Sequence, residues 1–172
     1  MTRKTLIVDD EEGMLEVYQD SLRKIEAVLI TLEPSSIQAA ELLKTGKFDL
    51  LITDLRMPKL SGIDLLKIAR ENDPQLPVLL ITAFPSVDTA IESMKHGAYD
   101  YLTKPVDPLV LVSTVRSIFE RKSLKEQNEL LSRHVEKPFG FEEMIGQSLA
   151  MKKKFRNHSK NCAHKYRRNY NG

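Results

Sequence analysis

Five side chains in the 172-residue sequence could do chemistry together: Asp9, Asp10, Asp54, Thr82 and Lys104. Carboxylates gathered within a few ångströms repel by several kcal/mol at an effective dielectric of ~20. All three stay ionised if a hard divalent cation sits among them, and an oxygen-only set with no His or Cys nearby favours Mg²⁺. A hydroxyl (Thr82) and an ammonium (Lys104) complete a clamp for a phosphoryl group. Cation and donors neutralise its equatorial oxygens while an aspartate oxygen attacks in line. Asp54 is then the nucleophile, and the product an acyl phosphate. Taken singly, each residue has a plainer reading. An Asp-Asp pair after a strand is commonly a solvated turn, a lone threonine a cap, a lone lysine a surface charge, and Tyr101 a half-buried strand aromatic. Only a shared location gives them a joint meaning.

That location depends on the elements carrying them. Phe48–Pro58 reads as a short buried strand that delivers Asp54 to its C-terminal edge, because an apolar run bounded by turn signals is the pattern of a parallel-sheet strand. Thr5–Val8 ends the same way in Asp9-Asp10. Ala27–Ile30, Pro77–Thr82 and Tyr99–Leu102 read as further strands. Amphipathic helix patterns separate them: Met14, Leu15, Tyr18, Leu22 and Ile25; Ala39, Leu42 and Leu43; Leu65, Leu66 and Ala69; Ala90, Ile91 and Met94; Leu109, Val112, Val115 and Phe119. Ser35 with Gln38 carries a capping-box signature, Ser61-Gly62 and Ser86 open the next two helices, and Gly46 and Gly97 close theirs. Five strands alternating with five helices predict an α/β fold, a five-stranded doubly wound parallel sheet. Right-handed crossovers bring the first, third, fourth and fifth strand ends to one crevice, where ligands bind in open parallel sheets.

Composition excludes several classes. No apolar run approaches the ~20 residues that cross a membrane, and the N-terminus runs straight into a strand with no signal peptide. The single cysteine, Cys162, cannot close an internal disulfide, which fits a cytoplasmic setting. The net charge of +2 conceals a split: residues 1–120 hold 19 acids and 13 bases, whereas residues 121–172 hold 5 acids and 13 bases. A flavin-binding fold-mate needs a phosphate cradle of amides and hydroxyls after the first strand; here Asp9-Asp10-Glu11-Glu12 would repel phosphate. A dehalogenase-type phosphatase places a second Asp two residues after its nucleophile, where this chain has Arg56. No G-x-x-x-x-G-K-[ST] is present, so the chain contains no P-loop.

Residues 3–120 resemble a response-regulator receiver domain of two-component signalling. The resemblance rests on Asp9-Asp10, Asp54, Met57-Pro58 with Gly62, Thr82-Ala83, and Gly97–Pro105. It implies the strand order 2-1-3-4-5, phosphorylation of Asp54 by a sensor histidine kinase, and Mg²⁺ held by Asp10, Asp54 and the main-chain carbonyl of Arg56, with Asp9 in support. It also implies Thr82, Tyr101 and Lys104 as switch and catalytic residues and a cis Lys104–Pro105 peptide. Dimerisation through the face of the fourth helix, fifth strand and fifth helix is a further implication. Such a domain is a signalling module rather than an enzyme, catalysing only its own phosphorylation and dephosphorylation.

Past residue 120 the helix pattern continues over 121–137 with a narrower stripe. Leu124, Asn128, Leu131 and Val135 are spaced as a two-heptad coiled-coil seam, with a solvated linker helix as the equal alternative; Pro138 ends it. Phe141–Lys153, within a segment spanning 138–155, resembles the opening of the central ATPase module of sigma-54-dependent transcription activators. DNA would then be reached only through output domains beyond this chain. The basic stretch 156–172 has no apolar periodicity and reads either as a nucleic-acid-binding arm or as the product of a one-base slip near Lys154.

Overall fold

The computed structural model describes residues 2–135. Strands and helices alternate without exception there: β1 (Arg3–Val8), α1 (Glu12–Leu22), β2 (Val28–Glu33), α2 (Ser36–Thr45), β3 (Leu50–Asp54), α3 (Gly62–Asn72), β4 (Val78–Thr82), α4 (Val87–Lys95), β5 (Asp100–Thr103) and α5 (Pro108–Val135). The sheet is parallel throughout, in the order β2-β1-β3-β4-β5. This is the five-stranded doubly wound sheet expected from the sequence.

The strands explain why periodicity alone reads as a plain apolar run. β3 and β4 are buried at every position, and successive side chains go to opposite faces. Leu50 and Ile52 join Leu79 and Ile81 under α1 and α5, while Leu51 joins Val78 and Leu80 under α2 and α3. Each such buried Leu or Ile contributes about 1.5–3 kcal/mol from area removed from water. The fourth helix is different: Ser93 is its one fully buried residue, and Val87, Ile91 and Met94 are 75%, 48% and 48% exposed.

Several expectations shift at their edges; β5 runs Asp100–Thr103 rather than Tyr99–Leu102. β2 begins one residue later than predicted and continues to Glu33, because Ala27 sits in a left-handed turn at φ 58° and the half-buried edge strand ends in Thr31-Leu32-Glu33, which shows no apolar run. α1 stops at Leu22, with Arg23 as its cap, so Ile25 lies beyond the helix. At α2, Ser35 accepts from the Gln38 amide at 3.4 Å, but the Ser35 amide donates to the Glu33 carboxylate at 2.9 Å. Glu33 thus takes the bond that a full capping box gives to Gln38.

The chain divides into residues 1–124 and 125–172; of the second unit, residues 125–135 are described and are helical. The end at Pro138, the 138–155 segment, and the 156–172 tail with Cys162 lie outside the described residues. Among the described residues, no helix is long and apolar enough to cross a membrane.

Candidate functional site

Strand register brings the chemistry together. Val8 pairs with Thr53, so Asp9 and Asp54 both stand one residue further on; Thr82 pairs with Thr103, so Lys104 follows at the same edge. The β3–α3 connection must pass close by, and Gly62 makes that possible. A Cβ there would lie 2.3 Å from the Asp54 carbonyl oxygen and 3.0 Å from Leu55 Cα. Ser36 of α2 holds the same loop: its hydroxyl donates to the Pro58 carbonyl at 2.6 Å and accepts from the Leu60 amide at 3.2 Å. No sequence signal singles out Ser36, because its value depends on a loop 22 residues away.

At the crevice, Lys104 Nζ lies 2.8 Å from Asp9 Oδ2 and 2.8 Å from Asp54 Oδ1, with Glu11 at 4.0 Å. The Lys104–Pro105 peptide is cis, as the resemblance implied. Asp9 also accepts from the Glu11 amide at 3.0 Å, and Asp54 from the Arg56 amide at 2.7 Å. Asp9 is fully buried and Asp54 is 6% exposed. Burial raises the Asp9 pKa above its ordinary value, against the lowering effect of Lys104. Burial also works against the Lys104 charge, but its hydrogen bonds to two carboxylates outweigh it and the net shift is upward. The partners shift the same way for different reasons: burial dominates at Asp9, whereas two carboxylate partners outweigh burial at Lys104.

The remaining predicted residues are arranged differently. Asp10 is exposed at the rim. Thr82 is fully buried, and its hydroxyl accepts from the Phe84 amide at 3.2 Å. The Tyr101 hydroxyl lies 3.1 Å from Thr89 Oγ1 on α4. Among the described residues, no group of three or more His, Cys, Asp or Glu side chains is arranged to hold a metal ion. Between Asp9 and Asp54 stands the Lys104 ammonium instead. The donor chemistry nonetheless fits a hard divalent cation, since two buried carboxylates share one ammonium and leave the crevice net negative.

Two features escaped the sequence reading. The Arg56 guanidinium stacks on the exposed Phe84 ring at 4.8 Å, joining the loops after β3 and β4. Tyr18, assigned to the apolar stripe of α1, is 2% exposed, and its buried hydroxyl has no hydrogen-bond partner. Burial raises its pKa, with the charges of Lys104, Asp9 and Asp54 acting on it as well.

A doubly wound parallel sheet whose C-terminal edge holds two buried aspartates bridged by one lysine defines an acid-centred class of α/β domains. The chain belongs to the response regulator receiver domain family, whose model matches residues 5–116. It is similar to response regulator protein PilR of Pseudomonas aeruginosa, with 45% identity over 106 residues, 61% of this chain and 23% of the relative. It is also similar to transcriptional regulatory protein ZraR of Klebsiella oxytoca, with 37% identity over 147 residues, 86% of this chain and 32% of the relative. The chain therefore spans about a quarter to a third of the length of these curated relatives. A response regulator receiver domain from Clostridium thermocellum superposes with a TM-score of 0.65 at 33% identity, covering 71% of this chain and 98% of that one. The beryllofluoride-activated NtrC4 receiver domain dimer superposes with a TM-score of 0.64 at 30% identity, covering 69% and 97%.

Proposed function

We propose that this protein is a phosphorylation-dependent switch whose acceptor is Asp54. The observation that carries the reading is the single ammonium of Lys104 set 2.8 Å from both Asp9 and Asp54. An Asp54 oxygen attacks the phosphorus of a phosphohistidine on a sensor kinase. The P–N bond breaks, the imidazole departs with a proton, and an aspartyl phosphate remains. Lys104 pairs with the phosphoryl oxygens, and Thr82 exchanges its Phe84 amide for one of them. Tyr101 then turns inward into the space that Thr82 vacates. Asp10, Asp54 and the Arg56 carbonyl, with Asp9 in support, would hold Mg²⁺, which supplies charge neutralisation and alignment of the incoming phosphoryl group. A swing from 1:99 to 99:1 needs about 5.5 kcal/mol of differential interaction, within reach of a few charge-assisted hydrogen bonds.

The output we propose is sigma-54-dependent transcription activation in the cytoplasm, with residues 1–120 as receiver, 121–137 as linker and 138–155 as the start of an ATPase module. The 147-residue match to ZraR supports this, since a run of that length in a 172-residue chain must pass beyond the receiver into the 138–155 segment. The apolar outer surface of α4, with Val87 75% exposed, supports a homodimer through α4, β5 and α5. The charge split favours one competing reading, a nucleic-acid-binding arm at 156–172. Salt-dependent DNA binding that vanishes on deleting 152–172 would select it.

The test is labelling of the full chain by a small-molecule phosphodonor with Mg²⁺. The wild type takes up one phosphoryl group, and Asp54→Asn takes up none; label that persists in the variant would overturn the assignment.

A further inference from the structure

Two helices of this fold begin with capping boxes built from different chemistry. In α3 the third residue is Asp64, a carboxylate that accepts from the Ser61 amide at 2.9 Å and the Ser61 hydroxyl at 2.7 Å, closing the box on itself. In α4 the same position is Thr89, and a hydroxyl replaces the carboxylate. Its oxygen accepts from the Ser86 amide at 3.3 Å, while the Ser86 hydroxyl accepts from the Thr89 amide at 3.1 Å. Thr89 Oγ1 also lies 3.1 Å from the Ser86 carbonyl, 2.9 Å from Ser86 Oγ and 3.1 Å from the Tyr101 hydroxyl.

A hydroxyl has one proton and two lone pairs. The Thr89 proton is suited to the Ser86 carbonyl, an acceptor only. One lone pair then receives the Ser86 amide, and the other is shared between the Tyr101 O–H and the Ser86 hydroxyl. In α3 both bonds to the Asp64 carboxylate come from Ser61; in α4 the Thr89 hydroxyl also reaches across to β5. The phenol of Tyr101 is therefore an integral member of the first turn of α4. That turn has little else to hold it, since Ser93 is the helix's one fully buried residue.

We propose that Thr89 is the positioning residue of Tyr101: its hydroxyl holds the phenol outward and makes the N-terminal turn of α4 and the Tyr101 side chain move as one unit. Resting on the switch role given to Tyr101 above, the inference adds the bond that must break before the ring can turn, and the element that feels it break. Inward rotation removes a donor from Thr89, so the cap of α4 loosens as the phenol leaves. Conversely, a partner that clamps the first turn of α4 holds Tyr101 outward.

Native-state hydrogen exchange at the Ser86, Thr89 and Ala90 amides of the full chain, without any phosphodonor, reads the coupling directly. Tyr101→Phe keeps the ring and both cap residues, yet exchange at these amides should rise by about fivefold, the loss of one ordinary hydrogen bond. Thr89→Val should raise it further, Thr89→Ser should restore the wild-type rates, and Tyr101→Phe should add nothing in the Thr89→Val background. A Tyr101→Phe variant with wild-type exchange, or additive effects in the double variant, overturns the proposal. A second readout separates this from the phosphoacceptor reading. If exchange is coupled as described but Asp54 takes no label, the Thr89–Tyr101 bond stands and the phosphorylation assignment falls. If Asp54 is labelled but exchange is uncoupled, the reverse holds.

Discussion

Asp9 and Lys104 show how one residue's cost is another's gain. Burying an ionised carboxylate is unfavourable unless it is paired, and the upward shift at Asp9 records that cost. Lys104, held by two acids, is shifted upward past its ordinary 10.5. The stability it contributes is present below that value and is lost only as pH rises through the shifted pKa, so neutral pH leaves the pair intact. Tyr18 belongs to the same neighbourhood but has no partner for its hydroxyl. Tyr18→Phe should therefore raise unfolding stability by about 1 kcal/mol, by removing an unpaired buried group, while leaving phosphodonor labelling unchanged. Urea unfolding checks the first and radiolabel uptake the second; a destabilised variant would mean that the hydroxyl is satisfied in solution. Gly62→Ala should act in the opposite direction. Its Cβ would meet Asp54 backbone at 2.3 Å, with no flexible atom to yield, and a loss of about 1–3 kcal/mol with slower labelling is expected from overpacking beside the acceptor.

At the scale of elements, a polar cluster ties the base of the sheet to α5. Asp49 accepts from Lys122 at 2.7 Å, from Arg3 at 3.4 Å and from the Lys4 amide at 2.9 Å. Burial would raise its pKa, but these donors outweigh burial and the net shift is downward from 3.8. A depressed carboxylate contributes stability above its unfolded pKa and loses it as pH falls through the folded one, so this contribution disappears on acidification below about 3.8. Asp49→Asn should lower stability at neutral pH by about 1 kcal/mol and flatten the acid limb of the stability profile, as thermal melts across pH 2–7 would show. A variant with the wild-type acid slope would assign that limb to other carboxylates. The exposed stripe of α4 is the place to probe self-association. Ile91→Glu on this half-exposed helix should weaken any dimer without unfolding the monomer, read by sedimentation with and without phosphodonor.

Across the described residues, apolar runs alternating with period-3.6 patterns, with caps at Ser35, Ser61 and Ser86, gave every helix and strand in order. Edges were lost where packing leaves no sequence trace, as in the polar end of β2. The candidate site was legible because its members are chemically distinctive and each follows an apolar run. Ser36, Thr89 and the Arg56–Phe84 contact were not, since a serine, a threonine and an exposed ring acquire a role only from a neighbour elsewhere in the chain.

Local residue chemistry was sufficient to predict which strands end in acid, alcohol and amine, because hydrophobic period and turn residues act over a few positions. The tertiary fold alone decided that one ammonium stands between two carboxylates and that the Tyr101 phenol joins the cap of α4. Those contacts span 95 and 12 residues of sequence; the parallel register of the sheet brings Lys104 to Asp9, and the packing of α4 beside β5 brings Thr89 to Tyr101.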